Sequence, residues 1–119
     1  MLAFDVVFLA GTDPKVWLPE EEFVLRNRAC LNAKVAVRRA RHLLDSFNRS
    51  MARPMDQEEL LGRLMLSDNL FKAVQGATRK FEAIQASERL KLFLGMSRRD
   101  DWFERKDLPC VRKALEDLT

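Results

Sequence analysis

The chain has no tyrosine, one histidine, two cysteines, four glycines and four prolines among 119 residues. Scarce glycine and proline argue against a turn-rich β protein, because tight turns depend on those residues. One histidine and two distant cysteines cannot supply four clustered zinc ligands. The glycines stand singly at positions 11, 62, 76 and 95, so no glycine-rich loop exists to cradle a phosphate. His42 lies between Arg41 and Leu43. No nucleophile accompanies it. Adjacent acids such as Asp100 and Asp101 read as helix-start caps rather than metal ligands. The sequence therefore points to a protein with no catalytic residues, no metal and no cofactor.

Long apolar runs are lacking too. Phe4–Ala10 is apolar apart from Asp5, far too short to span a bilayer, and not preceded by basic residues as in a secretory signal. No other stretch approaches transmembrane length. Two cysteines without such a signal fit an intracellular, reducing compartment. Cys30 and Cys110 are expected to be buried or inert thiols.

Apolar residues make up 47% of the chain and charged residues 33%, the balance of a globular protein. At this length one domain, residues 1–119, can bury roughly two-thirds of its unfolded surface without staples. The periodicity is helical. Cys30, Ala33, Val37, Ala40, Leu44, Phe47 and Met51 recur at spacings of three and four, which puts them on one stripe. Pro19 suits the first turn of a helix, Glu20–Glu22 favour its positive end, and Pro54 closes it. These signals predict one helix over 19–52, about 33 residues and on the order of 50 Å long. Further helices are expected over 56–66, with Asp56 and Glu59 as a capping box, over 68–95, capped by Ser67 or Asp68, and over 109–118. Near Ser87 the stripe shifts, so the helix is expected either to bend there or to turn a new face inward, and Gly95 is a natural stop. The predicted fold is all-α, a bundle of three to four antiparallel helices around the long one. A short extended arm, residues 1–18, precedes it.

Charge is unevenly placed. Between Arg26 and Arg53 eight cations face one acid, Asp45, a net of +7 in a chain whose total is +3. Lys34, Arg38 and Arg41 share a face, with Arg39 and Arg49 fanning to the sides. Nucleic acid would use such a stripe for phosphate contacts, but single-strand recognition also needs interleaved aromatics, and none occurs there. Seven of the eight cations are arginine, which suits paired contacts with carboxylates. Val24, Leu25, Leu31 and Val35 fall off the main stripe, and Trp17, Trp102 and Phe103 lie in the joints. Surplus apolar surface and exposed tryptophan mark contact sites. The expected function is a non-enzymatic interaction module, a subunit or adaptor. It would dock on a protein with an acidic surface through Lys34, Arg38, Arg39, Arg41 and Arg49 and those seven apolar residues. Self-association is a second use for such a surface, and nucleic-acid binding is the alternative function.

Overall fold

The computed structural model describes residues 19–118. The expected arm, and Trp17 within it, lie outside the described residues. Four α-helices follow one another: α1 (Glu20–Arg26), α2 (Arg28–Ser50), α3 (Gln57–Phe93) and α4 (Leu108–Glu116). Single 3-10 turns at Arg99–Asp101 and Arg105–Asp107 join α3 to α4. The all-α class is as expected, and no strand occurs among the described residues. The element boundaries differ in two places.

The predicted helix over 19–52 is broken at Asn27. This residue adopts an extended conformation, φ −86° and ψ 121°, between two helical segments. Its amide still donates to the Phe23 carbonyl, and its carbonyl still accepts from Leu31, so a single residue leaves the helix. Three contacts hold it out. Its side-chain oxygen accepts from the Cys30 amide at 2.9 Å, a helix-capping bond. Its side-chain amide donates to Glu88 at 3.2 Å. Its backbone pairs with that of Trp102 in an isolated antiparallel bridge. The chain turns there, and α1 folds back beside α2.

The predicted joint near residue 67 does not exist. α3 runs unbroken for 37 residues and is the longest helix of the described chain. Ser67 donates its hydroxyl sideways to Asn48 at 2.7 Å, and Asp68 pairs with Lys72 one turn on at 3.0 Å. Neither side chain caps a backbone amide, so nothing ends the helix. Asp56 does cap, accepting from the Glu59 amide at 2.7 Å. Near Ser87 the helix continues without a break. Glu88 and Leu92 keep the inward face, while Leu90, Phe93 and Leu94 are added on the outside. α3 ends where Gly95, at φ +70°, lets the Met96 amide reach back to Lys91 and its own to Leu92, the paired bonds of a glycine-terminated helix.

α2 and α3 lie along each other, with Asn27 against Glu88, Lys34 against Phe81, Phe47 against Arg63 and Asn48 against Ser67. The core sits at one end of this pair. Phe23, Val24, Cys30, Val37, Phe81, Leu92 and Trp102 form its buried cluster. α1, α4 and the turns between residues 96 and 107 make a third layer over that end. Phe23 meets Trp102 edge to face at 5.2 Å, and the Arg89 guanidinium lies 4.2 Å over the Phe23 ring. Beyond Val37 on α2, and before Val74 on α3, no residue is fully buried. The molecule extends 64 × 26 × 21 Å, a knob with a two-helix stalk.

The two cysteines are both free and have different surroundings. Cys30 is fully buried; desolvation, assisted by the Glu88 charge, pushes its thiol up to about 12. Cys110 is exposed on α4, so only one of the two thiols is hidden. A disulfide reagent at pH 8 should therefore label one thiol in the native protein and both in denaturant. Two labelled thiols without denaturant would contradict the buried site. A thiol whose folded value lies above its unfolded one stabilises fully below about pH 9, and that contribution fades as pH rises toward 12.

Candidate docking surface

The apolar residues singled out from the sequence are mostly spent inside the chain. Val24, Leu25 and Trp102 are buried, and Leu31, Val35 and Phe103 are half-buried. The break at Asn27 explains this. It folds Val24 and Leu25 back onto the core, and residues 102–103 lie against the break. Phe103 donates its amide to the Arg26 carbonyl at 2.6 Å and accepts from the Arg26 side chain at 3.2 Å. The Arg28 guanidinium covers the Phe103 ring at 4.0 Å and donates to the Asp100 carbonyl. Burial, with the nearby Arg105 charge, holds the Arg26 guanidinium below its ordinary value, and Glu22 opposes that shift. Val24, Leu25, Trp102 and Phe103 thus belong to a lock on the fold, while Leu31 and Val35 stay half-exposed on α2.

The exposed apolar surface lies elsewhere. Leu43, Leu60, Leu61, Leu64, Met65, Leu66 and Phe71 are all between 42% and 63% exposed, and all lie in the distal half of the α2–α3 pair. A second group, Leu90, Phe93, Leu94 and Met96, is exposed at the C-terminal end of α3. The distal group was legible in principle. Leu60, Leu61, Leu64, Met65 and Leu66 spread over most of the circumference of a helix, wider than a single inward face needs. Here only one side is covered. Hiding a half-exposed leucine contributes on the order of 1 kcal/mol, so the group as a whole could supply several.

Two stripes on this half face the same way. On α3, Leu60, Leu64, Phe71, Thr78 and Arg89 repeat at spacings of four, seven, seven and eleven, so they share one stripe. Arg89 rests on Phe23 of α1, which fixes that stripe on the side covered by the third layer. On α2, Lys34 and Arg38 line a cleft of about 300 Å³ with Glu20, Glu21 and Val24 of α1 and Leu115 of α4. The same two cations begin a second cleft that continues along α2 past Arg41, His42, Asp45 and Arg49. Among the described residues the third layer therefore covers the proximal part of this face, and beyond it the spacing leaves an apolar stripe on α3 beside a basic one on α2.

Comparison with known proteins finds no matching family model, no matching curated protein and no matching solved structure. The function is accordingly argued from this surface. Among the described residues, Lys34, Arg38, Arg39, Arg41 and Arg49 form no ion pair with a carboxylate. Lys34 lies over the Phe81 ring at 5.2 Å, Arg38 donates to the Leu115 carbonyl at 3.4 Å, and Arg49 donates to Ser46. By spacing, Arg39 stands about 100° around the helix from Arg38, off the open face. The structure thus brings Lys34, Arg38, Arg41 and Arg49 together and separates Arg39 from them. No cluster of metal-ligating side chains occurs among the described residues. No described helix is long and apolar enough to cross a membrane.

Proposed function

We propose that the protein is a non-enzymatic helical interaction module, a subunit or adaptor of a larger assembly, built as an antiparallel bundle whose third layer is completed by another protein. One observation carries this reading. A chain that builds a tight core at one end of its helix pair leaves seven large apolar side chains half-exposed at the other. So many large apolar side chains left half-exposed in one region is uncommon on monomers and marks contact sites. The cations beside it, which form no ion pair with a carboxylate among the described residues, favour a partner with an acidic surface. A nucleic-acid reading draws on the same cations but gives no role to the leucines.

The test is the native mass of the protein in extracts of its source, set against the purified 13.8 kDa chain. The expected result is a larger species that Leu64→Asp and Met65→Asp release to monomer mass without loss of helicity. A protein that runs as a bare monomer in both settings would end the proposal. Binding to generic duplex at about 50 mM salt that falls steeply with added salt would favour nucleic acid instead.

A further inference from the structure

The open half of this face has a template within the chain. α1 begins with three acids, Glu20–Glu22, followed by Phe23, Val24 and Leu25. It lies on the α2–α3 pair with its apolar residues in the core and with Glu20 and Glu21 beside Lys34 and Arg38. Its acids pair with cations of neighbouring elements: Glu21 with Arg112 at 3.0 Å, and Glu22 with Arg105 at 2.8 Å. A short helix, apolar beneath and acidic along its flank, is therefore what the covered part of the face accepts. The uncovered part repeats the same chemistry one step further along. By helical spacing the exposed Leu60, Leu64 and Phe71 of α3 supply an apolar floor on the same side of the pair as Arg38, Arg41 and Arg49, which line a cleft along α2 together with Asp45. From Arg38 to Arg49 α2 runs about 16 Å, room for roughly three turns of a docked helix.

We propose that the distal groove between α2 and α3 takes one amphipathic helix of a partner protein, its leucine-type residues on Leu60, Leu64 and Phe71 and its Asp or Glu residues on Arg41 and Arg49. The proposal rests on the reading that this half is a docking surface, and it adds the chemistry of the occupant. Charge complementarity selects that occupant. A second copy of the chain would bring the same cations against themselves, and like charges brought together at an interface oppose association.

The experiment uses the full chain and two synthetic 18-residue helical peptides with the same leucine stripe. One carries Glu along the flank and the other carries Lys. Fluorescence anisotropy should show the Glu peptide binding at least tenfold more tightly than the Lys peptide, with the gap narrowing as salt is added. The charge-reversed variant Arg41→Glu/Arg49→Glu should invert the preference, a gain of binding that a misfolded variant cannot produce. Leu64→Asp should weaken both peptides. Equal affinities, no binding of either peptide, or an unchanged preference in the charge-reversed variant would overturn the proposal. A concentration-dependent dimer that hides Leu64 would do the same in favour of a second copy. Crosslinks from the groove to residues 1–18 would do so in favour of the chain's own N-terminal segment. A larger native species combined with indifferent peptides would remove this occupant and leave the interaction-module reading standing.

Discussion

Trp102→Ala is expected to destabilise the protein by about 3–5 kcal/mol, the range for truncating a buried large aromatic. Total stabilities of about 5–15 kcal/mol make this a large share, and in a chain of this size each kcal/mol moves the melting temperature by about 4 °C or more. The size follows from how many contacts the residue makes. Trp102 is only 3% exposed and meets Phe23 edge to face. Its indole N–H donates to the Ser97 hydroxyl at 2.9 Å, and its backbone bridges Asn27. Removing the ring opens a cavity between α1 and the segment that holds the break, so neither side can collapse into it without releasing the other. Urea denaturation should show a lower midpoint. A loss below about 1 kcal/mol would mean that residues 97–107 are not part of the core.

Asn27→Ala is the second large effect, expected at about 2–4 kcal/mol. Loss of the cap on α2 accounts for about 1 kcal/mol. The rest comes from Glu88, a buried carboxylate that loses the Asn27 side-chain amide as a donor. Bonds to charged groups are worth about 1.5–3 kcal/mol, and leaving one unmade underground is worse than never having it. Lys91 remains on Glu88 at 2.9 Å, and that bond holds the lysine above its ordinary value. In a Glu88→Gln background the same substitution should do less harm, because the stranded group is then neutral. Thermal melts of the four proteins in that cycle decide it. Purely additive losses would show that Asn27 and Glu88 are not coupled.

What the sequence made legible was the part written in local pattern. The stripe from Cys30 to Met51 is the inward face of α2, and the Asp56 cap and the Gly95 stop stand where composition placed them. The two misjudged boundaries have tertiary causes. Asn27 sits between two arginines in a run with no proline or glycine, and as a helix residue it costs well under 1 kcal/mol. What expels it is Glu88 and Trp102, 61 and 75 positions away in the chain. A hint was available, since the apolar stripe begins at Cys30, three residues after an Asn, which is the spacing of a side-chain cap. Ser67 and Asp68 gave the opposite error. Their residue types resemble a cap, but their hydroxyl and carboxylate are engaged by Asn48 and Lys72 on the helix surface. Val24 and Leu25, expected to be exposed, are buried for the same reason. Folding α1 back through Asn27 consumed Val24 and Leu25, while leucines with a core-like pattern on α3 are left exposed.

The continuity of α3 has a further consequence. One helix passes from a well-buried region at Phe81 and Leu92 to a region with no buried residue near Leu60. Hydrogen bonds at the first end can break only when the knob comes apart, whereas those at the second need only local fraying. Stability is thus graded along a single rod, high where the chain holds itself and low where it faces outward. A partner arriving at the loose end would lengthen the cooperative unit, and part of its binding energy would be consumed in doing so.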